Sequence, residues 1–274
     1  MKRNHAETVL TSVPYLIWMV VFTVIPLLLV TYFAFTDETG AFTMANLSAV
    51  REYVAVIFRS IWLAFIATML CLLIAYPLSY IISRAPQRRQ RTYLLLVMLP
   101  MWINFLLRTY AMMSLMEDTG IINTLLQHIG ISPLPLIRTN GAVILGMVYN
   151  FIPFMILQIH TSLAKMDKSL LEAANDLGAT PVQAFLRVTL PLSLPGVISG
   201  ITLVFLPAVS SFFIPKLLGG GQFVLVGNII ESQFLTSGDW NFGSAISLIM
   251  AIIIMLSMWL TRKVDVQPAS RGKE

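Results

Sequence analysis

Glu172-Ala173-Ala174 and Gly178 stand at the centre of a polar stretch, Asp167 to Gly196, in a chain that is 57% hydrophobic. These residue types do not catalyse. They start and end helices and leave one helix face bare. Ser169 with Glu172 fits a capping box, so a helix is expected to start near Ser169. Gly178 fits the position just past that helix, where only glycine takes positive φ cheaply. Thr180, Pro181 and Gln183 supply a second start: an N-cap, a proline at the first helical position and a glutamine at the third. Leu190-Pro191 is expected to end the second helix. Ala173-Ala174 presents almost no side chain, so another protein's surface could approach closely. On capping alone the stretch is equally a plain hairpin between two membrane spans.

A second set of groups lies inside apolar runs. Arg108 is the clearest, because a cation at mid-membrane costs about 2.5–3.5 kcal/mol on insertion scales and so tends to mark a pathway. It can also snorkel from a span's outer end. Asn104, Asn150 and Gln158 either line a cavity or bond between helices. Pro100, Pro153 and Pro207 free backbone carbonyls and kink helices. Enzymatic chemistry finds no footing. There is no phosphate-cradling loop, since Gly272-Lys273 lacks its upstream glycine. No HExxH, no clustered Cys/His spacing and no Gly-x-Ser-x-Gly elbow occurs. His5, His128 and His160 are scattered and read as structural. Cys71 sits alone in an apolar run, so no disulfide forms within the chain.

The elements that must carry these groups follow from hydropathy. Only 11% of the 274 residues are charged, against roughly a quarter in soluble domains. The chain therefore reads as all-α and polytopic, one transmembrane domain over residues 1–274. At 1.5 Å per residue, apolar runs of about 20 residues cross a ~30 Å core. Six such runs are read, at about 14–35, 60–82, 92–115, 141–163, 192–218 and 242–260. The first is a retained span, being too long for a signal peptide. Residues 219–241 form a loop or a partly re-entrant segment.

Six spans put both termini on one side. Thirteen of the 18 Lys/Arg fall there: two before the first span, four after the second, three in the 164–191 loop and four in the tail. Arg51, Arg59, Arg138 and Lys216 fall on the other side. The positive-inside rule places both termini and the 164–191 loop in the cytoplasm. The net charge of +5 records that bias rather than a nucleic-acid partner.

The order Glu172-Ala173-Ala174, three residues, Gly178, nine residues, Val188, one residue, Leu190-Pro191 resembles the EAA loop of binding-protein-dependent ABC importer permeases. Val188 stands where that family usually shows Ile. The resemblance implies the six-helix type I importer permease fold in a bacterial plasma membrane. It implies that Glu172, Ala173, Ala174, Asp176 and Gly178, with Leu190 and Pro191, form a coupling element docked on a separate ATPase. It further implies a second permease, two ATPases that hold the ATP and magnesium, and an extracytoplasmic binding protein. No cofactor is then bound by this chain.

Leu99-Pro100-Met101-Trp102-Ile103-Asn104, Arg108-Thr109-Tyr110, Leu206-Pro207-Ala208 and Asp239-Trp240-Asn241-Phe242-Gly243 resemble the permeases of spermidine/putrescine importers, in particular the first of their two permease subunits. A polyamine needs carboxylates for its ammonium groups and aromatic faces for cation–π contact. Trp102, Asn104, Arg108, Tyr110, Tyr149, Glu231, Asp239 and Trp240 are the pathway candidates, with Glu117 and Asp118 beside them on the outer side. Seven acids against four bases on that side suit a cation, whereas Arg108 would suit an anion. Asp239-Trp240 is equally a loop turn with an interfacial aromatic anchor. Two alternatives remain: a sister permease for ferric iron, sulfate or a phosphonate, and a stand-alone channel or ion-coupled carrier.

Overall fold

The computed structural model describes residues 13–167, 169–221 and 223–265. Every regular element among them is helical, and the β contact is an isolated bridge between Thr36 and Phe42. In order the helices are α1 (Val13–Ala34), α2 (Ala45–Arg84), α3 (Gln87–Trp102), α4 (Phe105–Met116) and α5 (Ile121–His128). Then follow α6 (Asn140–Ala164), α7 (Ser169–Asp176), α8 (Pro181–Ser210), α9 (Phe213–Leu218), α10 (Val226–Ser232) and α11 (Trp240–Asp265). Five of them, α1, α2, α6, α8 and α11, are long and apolar enough to cross a membrane. A sixth span results if the bent pair Gln87–Trp102 and Phe105–His128 is one crossing. Lys2, Arg3, His5, Lys168, Arg271 and Lys273 lie outside the described residues, as do the side chains of Arg262 and Lys263.

Contacts divide the chain into two compact units. One draws on Met1–Ala55 and Ile229–Ile253. Here α1 buries little before its last turn, where Ala34 is enclosed. The carbonyls at its end still need donors. Asn241, in the first turn of α11, supplies them: its Nδ2 donates to Thr36 O at 2.6 Å and Phe33 O at 3.2 Å. Asn46 Nδ2 adds a second bond to Thr36 O. Rings close around this joint, with Phe33 against Trp240 and Tyr53 against Phe242.

The other unit draws on Val56–Asn228 and Ile254–Glu274. Its centre is α6 packed along α8. A Cβ on Gly200 would stand 2.6 Å from Met155 Sδ, and one on Gly196 would stand 2.7 Å from Gln158 O. Two bare positions one turn apart thus let the backbones approach, the small-residue packing of membrane helices. From α2, Ser79 Oγ donates to Ile156 O at 3.1 Å, and Cys71 is buried against Val148. Tyr76 shares a 2.8 Å hydrogen bond with Ser193 on α8.

Three boundaries differ from the sequence reading. Leu190-Pro191 does not end a helix: α8 runs through it to Ser210. A five-residue π-helical turn, Phe185–Thr189, precedes the pair and lets Leu190 N–H reach back to Phe185 O. That wide turn relieves the clash of the Pro191 ring with the carbonyl four residues earlier. The fifth apolar run, where Pro195, Pro207 and Pro215 were expected to break the helix, breaks once, with Pro195 and Pro207 kept inside α8. The helix stops at Ser210, where Ser211 turns extended (ψ 132°) and α9 begins anew. Pro215, four residues on, cannot donate to Ser211 O; Asn228 Nδ2 donates to Phe212 O at 2.7 Å, and Gly227 lies so close that a Cβ would meet Ser210 O at 2.7 Å. The third run, read as one interrupted span, bends by 89° between Gln87–Trp102 and Phe105–His128.

Candidate functional site

The hairpin of α7 and the start of α8 is built from caps. Asp167 Oδ1 accepts from Ser169 N at 3.0 Å, so the acceptor at this start is Asp167 rather than the Ser169 hydroxyl. The Ser169 N–H, and then its hydroxyl, hold the Asp167 carboxyl below the usual carboxylate range. At the other end Ala179 N donates to Ala174 O (3.0 Å) and Gly178 N to Asn175 O (2.9 Å), the paired bonds of a Schellman ending. Gly178 has φ +76°, and a Cβ there would meet nothing within 4 Å. The glycine is required by its backbone, not by space within this chain. Thr180 and Gln183 then form the expected reciprocal box, at 3.3 and 2.9 Å, with Pro181 in the first turn.

What the hairpin presents is apolar and bare. Leu177 is 88% exposed and Val182 66%. Ala173 is exposed beside them. On its other side α7 faces a cavity of about 710 Å³ shared with the α2–α3 turn. Glu172 and Asn175 line it opposite Arg84, Gln87 and Gln90. The turn is itself braced, because Gln90 Nε2 donates to both Ser83 O and Ala85 O. Phe185, in the π turn, is held edge-on by Tyr76 and Tyr80 at 5.7 and 5.6 Å. Leu190 and Pro191 follow it within α8. Sequence reasoning placed a short basic turn after the second span but missed its cavity with α7 and the aromatic grip, since both arise from tertiary packing. The Tyr80–Arg84 stack is the one local trace, an i,i+4 pair at 4.7 Å.

A second cluster forms at the break between α3 and α4. Asn104 caps α4 by accepting from Leu106 N (2.8 Å) and Leu107 N. Arg108 folds back onto the corner. It is buried, its Nη1 donates to Pro100 O at 3.1 Å, and its guanidinium lies 5.5 Å from the Tyr149 ring centroid. Next to it Asn150 Nδ2 bonds Gly146 O and Thr109 Oγ1. Arg108 Nε and Asn150 Oδ1 are buried without a protein partner, one donor and one acceptor left for water or solute. Trp102, at the apex, is 73% exposed, and Tyr110 is 48% exposed. Of the eight pathway candidates the break thus gathers Asn104, Arg108 and Tyr149, with Trp102 at its tip.

Glu231, Asp239 and Trp240 lie in the other unit. Asp239 Oδ1 accepts from Phe242 N at 2.9 Å and so caps α11. Trp240 packs on Phe33 and Phe234. Glu117 and Asp118 line a smaller cavity of about 490 Å³, with Asp118 paired to Arg138 at 3.1 Å.

Residues 75–266 match the family described as binding-protein-dependent transport system inner membrane component. The spermidine/putrescine transport system permease protein PotB of Haemophilus influenzae is 40% identical over 268 residues, covering 91% of this chain and 94% of that protein. PotB of Escherichia coli is 36% identical, covering 91% and 98%. Among solved structures, a bacterial ABC transporter involved in the import of the acidic polysaccharide alginate superposes with a TM-score of 0.79 at 15% identity, covering 94% of this chain and 95% of that one. The MetNI methionine ABC transporter, in an inward-facing form, gives a TM-score of 0.57 at 19% identity over 77% and 94%. At such identities these structures speak for the fold, which is the all-helical type I importer permease fold. The chain belongs to the family of binding-protein-dependent transport system inner membrane components.

Proposed function

We propose that this chain is a permease subunit of an ABC importer that carries spermidine and putrescine across the bacterial plasma membrane. The observation that carries the coupling half of this reading is the capped hairpin. It offers a short helix of fixed length, ended at Gly178, with Ala173, Leu177 and Val182 turned outward. A groove on an ATPase subunit is the partner such a knob fits. Glu172, Ala173, Ala174, Asp176 and Gly178 then form the coupling helix, and Leu190 and Pro191 carry its motion into α8. The hairpin and both termini face the cytoplasm, and residues 1–274 work as one permease domain.

The substrate half rests on the PotB relatives. In the assembly a second permease completes the path, two ATPases hold ATP and magnesium, and an external binding protein delivers the solute. This chain holds no cofactor and catalyses nothing. Closure of the ATPases pushes the hairpin and switches the spans between inward- and outward-facing states. Trp102, Tyr110 and Tyr149 offer aromatic faces to a polycation, and Glu231, Asp239 and Trp240 serve the outer approach. The test is Glu172→Lys in the assembled complex. Binding-protein-stimulated ATP hydrolysis should persist or rise while uptake is lost and membrane insertion is kept; wild-type uptake would sink the proposal.

A further inference from the structure

The importer reading leaves unexplained why a cation is buried at the α3–α4 break. Pro100 sits in the last turn of α3, where the chain swings by 89° and its carbonyl lacks the helical donor four residues on. Ile103 N reaches that carbonyl weakly, at 3.3 Å, and Arg108 Nη1 completes it at 3.1 Å. Arg108 stands in the first turn of α4, whose backbone is capped by Asn104. Two side chains four residues apart therefore close both helix ends at one corner.

The charge itself suits this place. A guanidinium at a helix C-terminus meets the negative end of the helix dipole. Its Cζ lies 5.5 Å from the Tyr149 ring centroid, within cation–π range. The ion pair among the described residues is Arg138–Asp118, so no carboxylate neutralises Arg108 there. An uncompensated cation repels a polyamine in transit rather than binding it. Meanwhile α3 runs from Gln87 and Gln90, which line the cavity beside Glu172 and Asn175, to the corner at Trp102. At 1.5 Å per residue that is a strut of about 24 Å. Its near end faces the coupling hairpin, and its far end carries the exposed Trp102 and Ile103.

We infer that Arg108 is a positioning residue that latches the α3–α4 corner through the Pro100 carbonyl, and so fixes the far end of a strut reaching from the coupling hairpin to Trp102. It does not bind the transported solute. The uptake arm of the test rests on the polyamine importer reading; the distance arm does not.

The experiment places spin labels at Tyr93→Cys on α3 and Leu115→Cys on α4, in a Cys71→Ala background, within the purified complex. Nine residues on one arm and ten on the other put the labels about 20 Å apart across a right angle, and about 30 Å apart if the corner straightens. One narrow distance near the shorter value is expected with Arg108. Arg108→Met, which keeps the length but removes every donor, should broaden or lengthen it. Arg108→Lys, which keeps a donor and the charge, should restore most of it. Complex yield, read in parallel, separates this from failure to assemble. In proteoliposomes Arg108→Met should lower uptake of spermidine and of putrescine by the same factor, about tenfold for a lost charge-assisted bond. An unchanged distance in Arg108→Met, or a changed spermidine-to-putrescine ratio, overturns the latch. If the parent complex takes up neither polyamine, the substrate reading falls while the label distances still decide the latch.

Discussion

The ending of α7 allows a substitution series whose order separates backbone strain from steric contact. Gly178 has φ +76° and open space where a Cβ would point. Any L-residue there meets the left-handed penalty of about 1–2 kcal/mol, and no clash within the chain adds to it. Asn is an exception in part, because its short amide tolerates this region. Gly178→Ala should thus weaken the closed helix end by about 1 kcal/mol, roughly fivefold in its equilibrium constant. Gly178→Asn should weaken it less despite its larger side chain, and Gly178→Val should weaken it most. The assay is binding-protein-stimulated ATP hydrolysis together with uptake in proteoliposomes holding the assembled complex. Coupling, as solute carried per ATP, should fall in the order Gly, Asn, Ala, Val. A loss that tracks side-chain volume, with Asn worse than Ala, refutes the strain argument. It would mean that Gly178 is kept bare for a partner's surface.

Other outcomes follow from single contacts. Asn241→Ala strips donors from Thr36 O and Phe33 O. Asn46 still serves Thr36 O, so with about 0.5–1.5 kcal/mol lost per hydrogen bond α1 should loosen, read as faster protease cutting in the 35–45 loop with α6–α8 packing unchanged. Gly200→Val drives a branched side chain into Met155. Overpacking of about 1–3 kcal/mol should lower the thermal midpoint of the detergent-solubilised chain, and Gly200→Ala should lower it less. Asp167, with its carboxyl held below the ordinary range, stabilises the start of α7 when ionised. That contribution is present above the unfolded-state pKa near 4 and is lost as pH falls through the lower folded value. Coupling should therefore not change through Asp167 between about pH 5 and 8, whereas Asp167→Ala should loosen the helix start across that whole range, read by amide exchange of residues 169–172.

Local signals carried well from sequence to structure. Gly178 and the Thr180–Gln183 box act through residues within a few positions, so their types suffice to place them. Pro100, Asn104 and Arg108 announced an interruption, but not its 89° angle nor the contacts of Arg108 with Pro100 O and the Tyr149 ring, which join different turns and helices. Prolines misled at Leu190-Pro191, because a π turn absorbs the ring inside a continuous helix. The real break, at Ser211, lies four residues before Pro215, which cannot donate to the Ser211 carbonyl, and Asn228 from a later segment holds it. Glu172 stood out as a coupling candidate only through the family resemblance. The cavity it shares with the 83–90 turn was not legible, since nothing in either segment alone brings them together.

The most direct test of the proposed transport is uptake of labelled spermidine and putrescine into proteoliposomes. These hold this chain with its partner permease, ATPases and binding protein, with and without ATP inside. Accumulation that requires both ATP and the binding protein is expected. Stimulated ATP hydrolysis without polyamine uptake would contradict the substrate, and uptake by this chain alone would contradict the importer mechanism itself.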